Sequence, residues 1–144
     1  MGLLRIAQSP PPAVEPHVSV MDAVDVMARH RVGAVVVVER GRLVGIFTER
    51  DLMMRVVKPQ LEIAATPVRE VMTADVMTVT EASAHEDASR LMLTEHLRHL
   101  PVLDREGKVL GLLSMRALLE ERLEDLSREV SSLEQYMAND GPGG

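Results

Sequence analysis

The stretch Gly45-Ile46-Phe47-Thr48-Glu49-Arg50-Asp51 joins a predicted strand to a predicted helix. The apolar run from Leu43 to Phe47 is typical of a strand, and Thr48 is a good helix N-cap with an acid three residues later. Such a junction collects a hydroxyl, a carboxylate and free backbone N–H groups at a strand end, where ligands commonly bind. The Thr48 hydroxyl and the Asp51 carboxylate suit the two adjacent hydroxyls of a ribose. A plain capping box explains the same residues, so the motif alone leaves both interpretations open.

The pattern around this junction occurs twice, and this repetition determines the predicted fold. Residues 14–57 predict the order strand, helix, strand, strand, helix, and residues 76–120 predict the same order again. An α/β fold of two such units packed about a pseudo-twofold axis is expected, with two equivalent clefts. Residues 14–18 predict a short strand or turn, and further strands are predicted over 34–38, 43–47, 77–80, 99–103 and 109–113. The predicted helices span 20–31, 48–57 and 83–97, and the last one starts at 114.

Residue identities support the repeat at two constant offsets. At an offset of 65 positions, Ala23, Met27 and Val37 recur as Ala88, Met92 and Val102; at 66 positions, Gly41, Gly45 and Leu52 recur as Gly107, Gly111 and Leu118. The one-residue difference falls in the predicted hairpin turn, where a change of length costs least. Outside the repeats we expect an extended N-terminal segment (1–13), a linker (58–75), a helical extension (121–138) and a disordered tail (139–144).

The composition excludes several functional classes. The chain has 144 residues, enough for one compact domain with a real core, and its net charge of −6 argues against a nucleic-acid binder or a polybasic membrane surface. It has no cysteine, which fits a cytoplasmic protein, and no apolar run long enough to cross a membrane. Phe47 and Tyr136 are its only aromatic residues, so a bound base must rest on aliphatic side chains and backbone. The ten methionines are expected to fill the core.

Taken together, the chain resembles a tandem pair of cystathionine-β-synthase (CBS) domains, a Bateman module. The resemblance rests on Val14-Glu15-Pro16-His17-Val18-Ser19-Val20-Met21-Asp22-Ala23, on the Gly45–Asp51 stretch, and on Arg98-His99-Leu100-Pro101-Val102-Leu103-Asp104 in the second repeat. It covers roughly residues 14–120. The resemblance implies a regulatory sensor of adenosine-containing ligands rather than an enzyme, and no catalytic constellation is apparent in the sequence.

The resemblance also implies a binding site between the repeats. Its ligand would be an adenine nucleotide, AMP, ADP, ATP or NAD(H), and no metal is predicted. Because the phosphate-facing residues are basic, a phosphorylated ligand is favoured over S-adenosylmethionine, whose sulfonium is cationic. The implied contacts are Thr48 and Asp51 to the ribose, Ile46, Val76 and Met77 beside the adenine, Leu97 and Pro101 in the wall, and Arg98, His99 and Arg116 facing the phosphates.

The second cleft departs from this pattern. Ala117 stands where the first cleft has Asp51, and Gly33 and Ala34 stand where the other repeat has Arg98 and His99. By symmetry, Arg50 is the only basic residue expected there. We therefore predict one competent nucleotide site per chain.

The last helix carries a heptad seam of nearly three repeats. Its apolar residues are spaced by four and three positions alternately, as in a coiled coil. Homodimerisation through helices that include residues 114–138 is the favoured interpretation, and folding back onto the same chain is the alternative. Since no effector domain is recognised, a separate effector protein is expected, although a dimeric scaffold that binds no nucleotide would also fit the sequence. The seam residues are Leu119, Leu123, Leu126, Val130, Leu133 and Met137.

Overall fold

A computed structural model describes residues 2–139, and it confirms the predicted α/β class with two β-α-β-β-α repeats. Each repeat builds one three-stranded sheet, in which a short first strand runs parallel to the second and the second pairs antiparallel with the third. The first repeat comprises β1 (Ala13–Val14), α1 (Val20–His30), β2 (Ala34–Glu39), β3 (Arg42–Thr48) and α2 (Glu49–Asp51). The second comprises β4 (Val79–Thr80), α3 (His85–Glu95), β5 (His99–Leu103), β6 (Val109–Ser114) and α4 (Met115–Asn139).

The two hairpins differ where the sequence offset changes. In the first, Arg40 and Gly41 both have positive φ, 53° and 80°, and form a tight two-residue turn between paired Glu39 and Arg42. In the second, five residues, 104–108, separate paired Leu103 and Val109, whereas four, 39–42, separate the equivalent pair Val38 and Leu43. The extra residue therefore lies in the turn, as the sequence predicts.

The segment that enters each repeat first crosses the other repeat. Ile46 and Thr73 form a two-way backbone pair with N···O distances of 2.9 and 2.8 Å, and Leu112 and Gln8 form the equivalent pair. At each crossing a glycine, Gly45 or Gly111, faces the passing chain, since a Cβ there would contact Thr73 O at 3.0 Å or Gln8 O at 3.1 Å. The two glycines recur in the sequence because both crossings need close backbone approach.

The N-terminal segment is therefore part of the second repeat. Residues 1–13 are expected to be extended, but Leu3–Arg5 forms a 3-10 turn, equivalent to the 3-10 turn at Val68–Glu70. Leu3 is fully buried in the core of the second repeat with Leu100, Val102 and Leu113. A separate core of Ala34, Val36, Ile46 and Leu112 includes residues from both sheets.

Three predicted helices have different bounds in the structure. The helix predicted over 48–57 is a three-residue α-helix followed by a π-helical segment, Leu52–Val57. The third helix starts at His85 because the Ser83 hydroxyl accepts a hydrogen bond from Thr80 N and does not cap the helix. The last helix includes Asn139, and residues 140–144 of the predicted tail lie outside the described residues. No helix between residues 2 and 139 combines the length and apolarity needed to span a membrane.

Candidate functional site

A cavity of about 860 Å³ lies at the end of β3, between the two repeats. The first repeat contributes the strand end, the capped helix start and the π-helical segment, and the second contributes the entering chain and the segment before β5. The structure brings eight of the ten predicted site residues to this cavity. They are Ile46, Thr48, Asp51, Val76, Met77, Leu97, Arg98 and His99.

Asp51 is the polar centre of the site. Its side chain is buried, with 7% of the residue exposed. Asp51 Oδ2 accepts hydrogen bonds from Thr48 N at 3.0 Å and from the Thr48 hydroxyl at 3.2 Å, while Asp51 N donates to that hydroxyl at 3.2 Å. The capping box predicted from the sequence is thus present. It holds the carboxylate and the hydroxyl side by side at the cavity wall.

A second set of contacts links Asp51 to the crossing chain, the segment around Met72 and Thr73 that crosses the first repeat before β4. The Thr73 hydroxyl donates to Asp51 Oδ1 at 3.0 Å, and Arg55 Nε lies 3.7 Å from the same oxygen. Arg55 also donates to the backbone oxygen of Met72 at 2.8 Å. Thr73 lines the cavity as well. The carboxylate therefore does more than cap its helix, since it joins the first repeat to the chain that enters the second.

The hydrogen-bond inventory leaves acceptor capacity for a ligand. A carboxylate accepts about four hydrogen bonds, and three donors within hydrogen-bond distance are present at Asp51. The Thr48 hydroxyl donates to Asp51 and accepts from Asp51 N, which leaves it one further lone pair. Two adjacent hydroxyl donors, such as those of a ribose, can bind this pair without disturbing the cap.

The apolar walls of the cavity are largely methionine and aliphatic. Met53, Met54, Val57 and Met77 are exposed and line the cavity. The expectation that methionines fill the core is therefore wrong at these positions, although Met27 and Met92 are buried. Flexible thioether side chains adapt to a flat ligand and offer it a polarisable surface. That a base would rest on these aliphatic side chains stays a prediction.

Pro101 does not line the cavity. It is buried on β5 and pairs with Leu112 of the adjacent strand, whose side chain belongs to the core shared by both sheets. It lies two residues beyond His99, roughly 6.6 Å further along the strand. The part of β5 that lines the cavity ends at His99, and Pro101 lies beyond it.

Arg116 does not line it either. Its side chain is 88% exposed and pairs with Glu120 one turn later, with Nε–Oε1 at 3.0 Å. Arg116 follows the helix cap Ser114 as Arg50 follows Thr48, and Arg50 lines the cavity. Arg50 thus lines the cleft for which Arg116 was predicted, because each arginine stays beside the cap of its own repeat.

The charged rim holds residues that the sequence analysis missed. Glu49, Asp75 and Glu95 line the cavity together with Arg50 and Arg98. His99 is half-buried there, and burial lowers its pKa; Glu49 opposes this effect and Arg98 adds to it. Glu49 could have been found as the neighbour of the cap Thr48. Thr73 gave no signal because its partner Asp51 is 22 residues away.

The pseudo-equivalent junction of the second repeat keeps its cap without an acid. Ala117 N donates to the Ser114 hydroxyl at 3.1 Å, as Asp51 N does to Thr48. A carboxylate is not needed for this cap, and its presence at Asp51 calls for another explanation. Nor do the described residues contain a group of three or more His, Asp or Glu side chains that could hold a metal ion.

Comparison with known proteins agrees with this architecture. The family model described as CBS domain matches the chain twice, over residues 5–58 and 68–124. This chain belongs to the CBS domain family. The CBS domain-containing protein YhcV of Bacillus subtilis is 36% identical to it over 96 residues, 67% of this chain and 68% of that protein. The resemblance inferred from the sequence is confirmed.

Solved CBS structures superpose on most of the chain. The crystal structure of the CBS domain protein NE2398 matches with a TM-score of 0.79 and 37% identity, and it covers 84% of this chain and 94% of that one. The structure of CBSX2 in complex with AMP matches with a TM-score of 0.72 and 25% identity, over 85% and 96% of the two chains. These structures share the CBS-pair architecture of this chain, and that of CBSX2 contains AMP.

Proposed function

We propose that this CBS pair senses an adenine nucleotide, AMP, ADP, ATP or NAD(H), in the cavity beside Asp51. The observation that carries the proposal is the buried Asp51 carboxylate, which lies beside the Thr48 hydroxyl and retains acceptor capacity toward the cavity. The pseudo-equivalent cap without a carboxylate supports a role for Asp51 beyond capping. The AMP complex of CBSX2 supports the ligand class.

In this arrangement the ribose hydroxyls donate to Asp51 and Thr48. The adenine lies between Ile46, Val76 and the methionines of the wall. The phosphates meet Arg50 and Arg98, the two arginines that line the cavity. Arginine suits this position because its planar guanidinium binds phosphate oxygens in a bidentate manner.

Signalling follows from the position of the ligand between the repeats. A ligand that contacts both repeats stabilises one relative arrangement of them through its differential affinity, and a partner can recognise that arrangement. The partner is a separate effector protein in the cytoplasm. The chain itself has no catalytic role in this proposal.

A second copy of the chain is the other partner that we propose. The first turns of α4 contact the rest of the chain through Leu118, which is buried, and through Glu121, which pairs with Arg5. These residues occupy heptad positions c and f, on the side of the helix opposite positions a and d. The seam at a and d is 41–70% exposed and faces away from its own repeats, which argues against folding back. Two such seams, with leucine at every d position, complement each other in a two-stranded coiled coil.

A thermal-shift series with AMP, ADP, ATP, NAD and NADH tests the ligand proposal. At least one of these nucleotides is expected to raise the melting temperature of the wild-type protein. Asp51→Ala removes hydrogen bonds to a charged group, each worth about 1.5–3 kcal/mol, so it should weaken binding by roughly 10- to 100-fold. Asp51→Ala also loses the contacts of the cap and of Thr73, which lowers its melting temperature without ligand. For this reason each variant is compared by the shift that the ligand adds to its own melting temperature.

Asp22→Ala is the matched control. Asp22 follows the cap Ser19 by three residues, as Asp51 follows Thr48, but it is exposed on α1 and does not line the cavity. Its replacement should leave the ligand-induced shift intact. If no nucleotide shifts the wild type, the dimeric scaffold that binds no nucleotide becomes the better interpretation.

A further inference from the structure

The lining of the cavity is unusual for a site that would bind a polyanion. Four acids, Glu49, Asp51, Asp75 and Glu95, line it beside only two arginines. Asp51 is buried within the capping box, whereas the other three acids are exposed at the rim. A cleft lined in this way opposes the addition of negative charge beyond what its two arginines offset.

Glu49 lies beside His99, one of the residues predicted to face the phosphates. One of its carboxylate oxygens occupies the space that a Cβ on Gly33 would need, and His99 Cε1 lies 3.3 Å from the same position. Its backbone N–H donates to Gly33 O at 3.0 Å, which fixes the start of its helix beside the opening segment of β2. The absence of a side chain at Gly33 leaves room for this carboxylate between the cap and His99.

The consequence concerns the number of phosphates that the site accepts. A single phosphate placed at Arg50, Arg98 and His99 meets two guanidinium groups, with the Glu49 carboxylate close by. The repulsion from Glu49 grows with the negative charge of the ligand, so it disfavours ATP more strongly than AMP. A repulsive group of this kind discriminates between ligands that share all their other contacts.

We propose that Glu49 makes this cleft selective for adenosine monophosphates over triphosphates. The inference rests on the proposed nucleotide site and names the ligand class of that site. Glu49 is a specificity-determining residue in this view, since it disfavours the longer ligand and is not required for the shorter one.

Isothermal titration with AMP, ADP and ATP in magnesium-free buffer tests the proposal. Wild type should bind the three in decreasing order of affinity. Glu49→Gln keeps the size of the side chain and removes its charge, so it should narrow the AMP-to-ATP affinity ratio by about tenfold. Glu124→Gln is the matched control, because Glu124 is an exposed acid on α4 that does not line the cavity. The AMP-to-ATP affinity ratio of Glu124→Gln should equal that of wild type.

The outcomes separate this proposal from the one on which it rests. If AMP binds and Glu49→Gln changes the affinities for AMP and ATP by the same factor, the selectivity role is wrong and the nucleotide site stands. The same conclusion follows if wild type binds ATP as tightly as AMP. If none of the three ligands binds wild type or Glu49→Gln, both proposals are overturned.

Discussion

Asp51 shows how one buried carboxylate can serve both structure and function. It caps the helix after β3, accepts from Thr73 on the crossing chain, and still faces the cavity. The cap was predictable because its two members are three residues apart. The contact with Thr73 was not, since nothing in the local sequence indicates which distant segment passes the strand end.

His99 provides a pH test at the level of one residue. Burial lowers its pKa in the folded protein, while Glu49 raises it and Arg98 lowers it. The unfolded chain therefore binds the proton more readily, and stability falls as the pH drops below about 6.5, the ordinary pKa of histidine. Between pH 7.5 and 5.5, the melting temperature of wild type should decrease more than that of His99→Gln. Parallel curves for the two proteins would contradict this assignment.

The α4 helix shows how one element divides its faces between two roles. Its c and f positions contact its own repeat through Leu118 and Glu121, so the a and d seam remains exposed. The sequence predicted the seam from its spacing. Which face contacts the parent repeat depended on how α3 and the N-terminal turn pack, and periodicity alone could not reveal that.

Charges in the seam should separate the proposed dimer. Leu126→Asp combined with Leu133→Asp places a buried carboxylate at two d positions, which a coiled-coil core does not tolerate. Sedimentation velocity should show monomers for this variant and dimers for wild type. Ser131→Asp with Ser132→Asp adds the same charge at positions b and c, both exposed, and should stay dimeric. A double leucine variant that remains dimeric would place the interface elsewhere.

At the level of the whole molecule, the two repeats are interleaved by their entering segments. The N-terminal turn packs into the second repeat, and the turn at Val68–Glu70 packs into the first. The equivalent pairs Ile46–Thr73 and Leu112–Gln8 then close the two crossings. Neither repeat completes its core with its own strands and helices alone, and we expect the pair to unfold as one cooperative unit.

Leu3→Ala tests this interleaving. Leu3 is fully buried in the core of the second repeat, so its truncation should cost about 2–5 kcal/mol of unfolding free energy. Leu93→Ala removes a leucine that is 70% exposed, and it should cost well under about 1 kcal/mol. Urea denaturation measures both. Equal, small costs would mean that the N-terminal segment is not part of the core.

Five features could be predicted from the amino-acid sequence: the repeat, the order of its elements, the hairpin insertion, the capped junction and the seam of α4. All of these depend on residues close in the chain or on a constant spacing, which periodicity and capping chemistry reveal. Three other features come from the packing of distant segments: residues 3–8 complete the second repeat, Arg50 rather than Arg116 lines the cleft, and Glu49 lies over Gly33. These features could not be predicted because the segment that enters each repeat crosses the other repeat. The crossing brings together residues that are far apart in the sequence, and no local pattern indicates their proximity.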